Sequence, residues 1–341
     1  MNFRRHLILL AALASLAVTS SSAPAQTASS FDAYLQLVSA KARAQGVSEA
    51  AINTVLAGLQ PSQRVIDLDR GNVQSPGQPG FPPLAPYLSS HNTSARIAGG
   101  QRVYRQIGSL ATRVEQRYGV PAPVLLAIWG HETSYGAVQG GFDLAQALAT
   151  LAWEGRRRDL FEPELIDLMK MVQQGVPRSR LVGSWAGAFG NPQFLPSVYL
   201  RLAVDADGDG SRNIWTSQAD TLFSIGNYFH DAGWRPGQPW GVRATVPAGL
   251  NRTALQSRMH PAQCPRVYVR HSAWKTVREW RALGIIPQKP LADNVLTALF
   301  EPDGPSAPAY LLTHNYRVIL EYNCSNYYAM SVGLLADEIA G

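Results

Sequence analysis

The run Val124-Leu125-Leu126-Ala127-Ile128-Trp129-Gly130-His131-Glu132-Thr133-Ser134-Tyr135-Gly136 sets a single carboxyl group at the end of an apolar helix, which then breaks at small residues and Gly136. A carboxyl held against Ile128, Trp129 and Tyr135 is partly desolvated. Desolvation disfavours the charged form and raises the pKa. A carboxyl raised in this way stays protonated near neutrality and can donate its proton to a leaving oxygen as a general acid. The alternative is that Glu132 is solvated surface, the commoner habit of a glutamate at a helix end.

A second run, Gly183-Ser184-Trp185-Ala186-Gly187-Ala188-Phe189-Gly190-Asn191-Pro192-Gln193-Phe194-Leu195-Pro196-Ser197-Val198-Tyr199, is rich in small residues that allow close backbone approach and suit a groove for an extended polymer. Ser184, Gln193 and Tyr199 offer hydrogen bonds, and Trp185, Phe189 and Phe194 offer flat apolar surface. A glycine-rich turn leading into a core helix would have the same composition. A third run, Asp205-Ala206-Asp207-Gly208-Asp209-Gly210-Ser211-Arg212-Asn213, follows the first part of an EF-hand loop, with acids at alternate positions and a glycine for the sharp turn. It departs from that pattern at Thr216, where the bidentate glutamate belongs. An Asp/Gly turn without metal is the alternative.

These groups need a scaffold, and the 341-residue chain is long enough for a substantial core, with 46% hydrophobic and 16% charged residues. That composition excludes a disordered tail, a collagen-like chain and a coiled-coil rod. Net charge is +6, two charges of which belong to Arg4 and Arg5, and the longest basic run is Arg156-Arg157-Arg158, so nucleic-acid binding is not expected. Helical spacing marks two pieces from Phe31 to Ala57, a long stretch from Ala95 to Tyr118, and a mostly helical segment from Pro123 to Tyr228. Leu59 to Pro86 reads as an extended loop. After Gly233 the character changes. Trp240–Val246, Val267–Val269 and Tyr316–Leu320 read as strands, and Tyr327–Ile339 as a closing helix. The expected fold class is α+β, mainly α.

Arg4 and Arg5, the apolar run Leu7–Val18 and the small residues ending in Ala23-Pro24-Ala25 read as a secretory signal cleaved after Ala25. The apolar run is short for a membrane span, and no cysteine near the cleavage point provides a lipid anchor. Such a chain is exported, and periplasmic if the source is Gram-negative. The only cysteines, Cys264 and Cys324, lie 60 positions apart and are expected to pair in an oxidising compartment, two free thiols being the alternative. Two cysteines are too few for a zinc–thiolate site.

The run through Trp129-Gly130-His131-Glu132-Thr133 resembles the catalytic segment of the lytic murein transglycosylase B family, lysozyme-like enzymes of glycoside hydrolase family 103. Gly183–Tyr199 resembles that family's second signature. So do Ala147–Ala152 with Arg156-Arg157-Arg158, Asn227-Tyr228-Phe229 with Gly233-Trp234, and Tyr322-Asn323-Cys324-Ser325 with Tyr328-Ala329-Met330. The matches run in order from about Phe31 to the C-terminus.

The resemblance implies cleavage of the β-1,4 bond between N-acetylmuramic acid (MurNAc) and N-acetylglucosamine (GlcNAc) in peptidoglycan, without water and with 1,6-anhydro ends. One carboxyl group, Glu132, acts first as acid and then as base. It implies Ser184 and Gln193 around the cleaved bond, Tyr228 and Tyr322 positioning the sugar with Asn323 nearby, and Tyr87 as a weaker match. Arg157 and Arg158 would meet carboxylates of the glycan, with a solvated charge run as the alternative. At Phe161 some relatives carry tyrosine. No organic cofactor is implied. Relatives carry an enlarged metal loop closed by a later carboxylate, which Asp220 fits, so structural calcium is expected on Asp205, Asp207, Asp209, Ser211 and Asp220. The implied partners are glycan strands, with room for complexes with other cell-wall enzymes. The expected organisation is a leader (1–25), a helical N-terminal region and loop (26–90), a lysozyme-like core with the calcium loop (91–235), a small β-rich segment (236–310), and a C-terminal strand and helix returning to the core (311–341). A muramidase hydrolysing the same bond and a catalytically silent peptidoglycan-binding protein are the competing readings.

Overall fold

Caps written in the sequence set several helix starts. Ser30, Ser48 and Thr93 each accept a hydrogen bond from the backbone N–H three residues on, at 3.2, 3.3 and 3.2 Å. They open α1 (Phe31–Ala44), α2 (Glu49–Leu56) and, after α3 (Gln63–Gly71) and α4 (Leu84–His91), α5 (Ser94–Ile107). This computed structural model describes residues 30–71, 82–259, 261 and 264–341. The expected leader and its cleavage point after Ala25 lie outside the described residues.

Two expectations for this half need correction. Within the expected 59–86 loop the structure forms α3, whose Val65 and Ile66 are buried. A short amphipathic helix flanked by proline and glycine is easily lost in loop-like composition. The expected continuous helix 95–118 is two helices, because Gly108 at φ +45° ends α5 before α6 (Ser109–Tyr118) begins. Next comes α7 (Ala122–Thr133), with Pro123 in its first turn, where the missing N–H costs nothing. It is apolar all round from Ala122 to Gly130, which makes it a core helix.

The chain continues through β1 (Phe142–Asp143), α8 (Leu144–Glu154), α9 (Arg158–Gln173), β2 (Val182–Gly183), α10 (Pro196–Leu202) and α11 (Gln218–Asp231). β1 and β2 pair antiparallel, with Phe142 opposite Gly183. A five-stranded antiparallel sheet follows, in the order β4-β6-β7-β3-β5. Its parts are β3 (Gly241–Thr245), α12 (Pro265–Tyr268), β4 (Lys275–Thr276), α13 (Val277–Ala282), β5 (Ile286–Pro287), β6 (Leu296–Phe300) and β7 (Ala309–Leu312). Leu311 stands between Val242 on β3 and Leu299 on β6, and these three share a small core with Trp280 and Ile285. The chain closes with α14 (His314–Tyr322) and α15 (Asn326–Ala340).

Two expected strands are helices. Val267 and Tyr268 lie in α12, and Tyr316–Leu320 lies in α14. Thr313 caps α14 by accepting from Asn315 N at 3.1 Å, and Tyr316, Val318, Ile319 and Leu320 are all buried. A short apolar run has no periodicity to separate buried helix from buried strand. The expected strand at Trp240–Val246 is β3.

Two helical cores meet at the site. One joins α5–α7, α11, α14 and α15 around Leu125, Ile128, Ile319 and Val332. The other joins α1, α2 and α8–α10 around Tyr34, Leu148, Leu165 and Met169. Tyr228 and Tyr322 pack against both. A disulfide joins Cys264 to Cys324, with Cα atoms 5.3 Å apart, tying the start of α12 to the α14–α15 connection.

Candidate active site

Glu132 sits in the last turn of α7. The helix stops abruptly: Ser134 and Tyr135 take left-handed conformations at φ +51° and +59°, followed by Gly136 at +91°. Two successive non-glycine residues in that region cost about 1–3 kcal/mol each, and local bonds hold them there. Thr133 Oγ1 donates to Asn191 O at 3.1 Å and accepts from Gly136 N at 3.1 Å. Tyr135 Oη donates to Arg96 O at 2.9 Å. The Tyr135 ring lies so close to α7 that a Cβ on Gly130 would come within 2.6 Å of its hydroxyl. Gly130 therefore admits the ring that anchors the turn.

This turn leaves Glu132 half-buried. Tyr328 Oη, from α15, donates to Glu132 Oε1 at 2.5 Å. Burial pushes the Glu132 pKa up to about 7, against the opposing effect of the Tyr328 bond. The C-terminal end of the helix dipole also disfavours a negative charge at this point. Burial and the Glu132 charge push the Tyr328 phenol well up, so it remains a donor. The group is thus a carboxyl poised to hold a proton near neutrality and release it, with a single phenol orienting one oxygen.

Further aromatic residues surround it. Tyr87 on α4 and Tyr322 at the end of α14 both have phenols raised chiefly by burial and further by the Glu132 charge. Tyr322 meets Tyr228 edge-on, with ring centroids 4.7 Å apart. Tyr228 Oη donates to Glu321 O at 2.8 Å, and burial pushes its pKa up to about 12. Tyr322 Oη donates to Pro192 O, in the turn that carries Gln193. Gln193 stands at φ +50°, and its Nε2 donates to Gly190 O at 3.0 Å. Ser184 Oγ accepts from Ala188 N at 3.0 Å in the same Gly183–Phe194 loop. Asn323, next to Tyr322, is exposed.

The structure uses the arginines differently from the expectation. Arg157 pairs with Asp69 on α3 and stacks 4.6 Å over the Phe161 ring, and Arg156 binds the same carboxylate. Arg158 donates to Ala152 O at 2.9 Å and Trp153 O at 3.1 Å. The carboxylate assigned to a ligand comes from α3, an element that sequence reading placed in a loop.

Asp205, Asp207 and Asp209 bring carboxylate oxygens within 4.8 Å of one another, a hard-oxygen cluster of the type that holds calcium. Asp220 does not join them. Its two oxygens accept from Ala206 N at 2.8 Å and Asn213 N at 2.7 Å, fastening both arms of the loop to the start of α11. Ser211 donates its backbone N–H to Asp209 Oδ1 at 2.7 Å.

Sequence reading missed Tyr328 as a site residue, although it lies within a quoted motif and three positions beyond Ser325, the cap of α15. It also missed Asn191, which joins the α7 turn to α11 through Thr221 Oγ1 at 3.0 Å.

With this geometry in place, a family model described as "Transglycosylase SLT domain" matches residues 30–337. The chain belongs to that family. It is 31% identical over 277 residues to the membrane-bound lytic murein transglycosylase B of Escherichia coli K12, a match covering 78% of this chain and 72% of that protein. Its fold is similar to that of SltB3 from Pseudomonas aeruginosa, solved in complex with NAG-anhNAM-pentapeptide, with a TM-score of 0.81 and 36% identity over 92% of this chain and 80% of the other. It also resembles the Escherichia coli lytic transglycosylase Slt35, solved in complex with calcium, with a TM-score of 0.72 and 28% identity over 90% of this chain and 92% of that one. The mainly helical, lysozyme-like architecture of this transglycosylase agrees with these structures, and the chain is an enzyme of their class. Among the described residues, no helix is long and apolar enough to cross a membrane.

Proposed function

We propose that this transglycosylase cleaves the MurNAc-β-1,4-GlcNAc bond of peptidoglycan with one carboxyl group and no water. Protonated Glu132 gives its proton to the glycosidic oxygen, the bond from MurNAc C1 to that oxygen breaks, and GlcNAc leaves with a free hydroxyl. The MurNAc C6 hydroxyl then attacks C1 while the Glu132 carboxylate takes its proton. The product carries a 1,6-anhydro ring, and Glu132 returns protonated.

The observation that carries this reading is the environment of Glu132. Its pKa is governed by burial and one phenol, and among the described residues no second carboxyl group contributes to the shift. A two-carboxylate retaining site would place an acid about 5–5.5 Å away, close enough to be felt. In this reading Tyr87, Tyr228 and Tyr322 line the sugar-binding groove with ring faces, while Tyr328, whose hydroxyl is bonded to Glu132, aims the carboxyl. Ser184, Gln193 and Asn323 extend its polar lining. The Asp205–Asp209 cluster is a structural calcium site, consistent with the calcium bound by Slt35. Export by the Met1–Ala25 leader agrees with a cell-wall substrate and with the Cys264–Cys324 disulfide.

Mass spectrometry of products released from peptidoglycan sacculi tests the reading. Muropeptides one water lighter than reducing products are expected, and they should vanish with Glu132→Gln. Reducing ends would mean a hydrolytic muramidase. No products from the wild-type chain would mean a binding protein.

A further inference from the structure

His131 immediately precedes Glu132, yet its bonds lead away from the carboxyl group. Its Nε2 lies 3.1 Å from Ser331 Oγ on α15. Ser331 Oγ donates to Asn92 Oδ1 at 2.6 Å, and Asn92 Nδ2 donates to Ser331 O at 2.9 Å. Asn92 ends α4. The directions of these bonds fix one another. The Asn92 amide must present its oxygen to Ser331, so the only Ser331 hydroxyl proton is used there, and Ser331 Oγ can only accept from His131. His131 is therefore an Nε2–H donor. Burial, then the charges of Arg96 and His91, push its pKa down to about 3, so it remains a neutral donor through the physiological range.

The rings form a column. Tyr87 stacks on His91 at 3.8 Å and 9°, His91 lies nearly parallel to His131 at 6.3 Å and 24°, and His131 lies 5.6 Å from Tyr328. One end of the column, Tyr328, donates to Glu132, and the other, Tyr87, also lies against Tyr327 of α15 with ring centroids 5.5 Å apart.

We propose that His131 is a positioning residue: through Ser331 and Asn92 it docks α4 against α15, and so seats Tyr87 over the groove beside Glu132. Its contribution is to substrate binding through Tyr87, not to proton transfer. This rests on the sugar-binding role proposed above for Tyr87.

The test compares His131→Leu, which removes the donor, with His131→Gln, whose side-chain amide can reach Ser331, in the full exported chain acting on soluble glycan strands. His131→Leu is expected to raise KM roughly fivefold, the loss of about one hydrogen bond, with kcat and the pH at which kcat falls both unmoved. His131→Gln is expected to restore KM. Ser331→Ala should match His131→Leu, and the double variant should be no worse than either, since the residues act in series. Backbone hydrogen exchange across Leu84–His91 should quicken in His131→Leu and Ser331→Ala and return to the wild-type rate in His131→Gln. A fall in kcat at unchanged KM, or a shifted pH limb, would assign His131 to proton handling and overturn the proposal. Wild-type exchange rates in α4 of the His131→Leu chain would overturn it regardless of kinetics. Should His131→Leu not fold, Ser331→Ala carries the same two readouts. If the wild-type chain releases no anhydro products, the transglycosylase reading fails, while the exchange measurement still decides whether His131 docks α4.

Discussion

Glu132 and Asp220 are both acids withdrawn from water, and they are handled in opposite ways. Burial pushes both pKa values up. Among the described residues Glu132 has one donor, a phenol, on one of its oxygens. Asp220, fully buried, has a backbone N–H on each oxygen, from Ala206 and Asn213, and these oppose the upward push while nearby Asp207 and Asp205 add to it. An acid with few donors is free to exchange a proton with a ligand. An acid whose two oxygens fasten two chain segments is committed to holding them. The difference lies in the partners of each carboxyl group, one phenol for Glu132 against two backbone N–H groups for Asp220.

The largest expected effect breaks the comparison on the catalytic side. Glu132→Gln keeps the shape and an oxygen for Tyr328 but has no proton to give. Turnover of peptidoglycan, read as released muropeptides, should fall by about 10³-fold or more, while chemical denaturation at pH 5 shows a folded protein. A variant retaining a tenth of the activity would mean that another group supplies the proton.

The second effect breaks the other side. Asp220→Ala leaves Ala206 N and Asn213 N without their acceptor. At about 1–3 kcal/mol for each stranded donor, a loss of roughly 2–6 kcal/mol is expected in urea denaturation, with the activity of the remaining folded protein reduced less than tenfold. Added calcium should raise the melting temperature of the wild-type chain by mass action, and a chelator should reverse it. Asp205→Ala should lose that response. A response that persists in Asp205→Ala would place the cation elsewhere.

The same contrast explains what was legible in the sequence. The placement of Glu132 at the end of a buried helix is legible because it is local, an apolar run with a small-residue break and a carboxyl at the junction, whereas its role as acid and base is implied only by the family resemblance. The helical spacing of α1 and α2 and the alternation of the β3 strand are local too. The partners that set each acid's behaviour were not. Tyr328 reaches Glu132 from 196 positions away, and Asp69 reaches Arg157 from 88. With α3 hidden in loop-like composition, nothing local announces that Asp69 occupies Arg156 and Arg157. Asp220 is expected as a ligand because the family resemblance implies a later carboxylate closing the loop, and only the fold turns its oxygens toward backbone N–H groups. The error at Tyr316–Leu320 has the same origin. A five-residue segment with four apolar positions is too short to show a period, and packing against both α15 and the sheet side decides for helix.

A third prediction sharpens the contrast through pH. Glu132 has a folded-state pKa near 7 against an ordinary value of 4.5, so the native state holds that proton more tightly than the unfolded chain does. The relative stability this gives is fully present below about pH 4, declines as pH rises, and is gone above pH 7. An amide carries no such penalty. Glu132→Gln should therefore match the wild type in stability near pH 4 and exceed it above pH 7, by on the order of 2 kcal/mol after allowing for the open side of the groove. Paired denaturation curves at the two pH values measure this. An equal difference at both would mean that the glutamate's ionisation is not coupled to folding.

The smallest effect isolates the one donor that Glu132 has. The Tyr328 bond lowers the carboxyl's pKa against the larger effect of burial, so Tyr328→Phe should raise that pKa further. A neutral hydrogen bond of about 1 kcal/mol corresponds to a little under one pH unit. The alkaline limb of kcat/KM, which reports the acid form of the free enzyme, should move to higher pH by that amount. The rate on the plateau should fall, because a carboxyl with a higher pKa is a weaker acid toward the glycosidic oxygen and its free oxygen is less well aimed. Asp220 offers no equivalent experiment, since its donors belong to the backbone and no side-chain substitution removes them. A limb that stays in place in Tyr328→Phe would mean that water replaces the phenol in the open groove, and burial alone would then account for the raised pKa of Glu132.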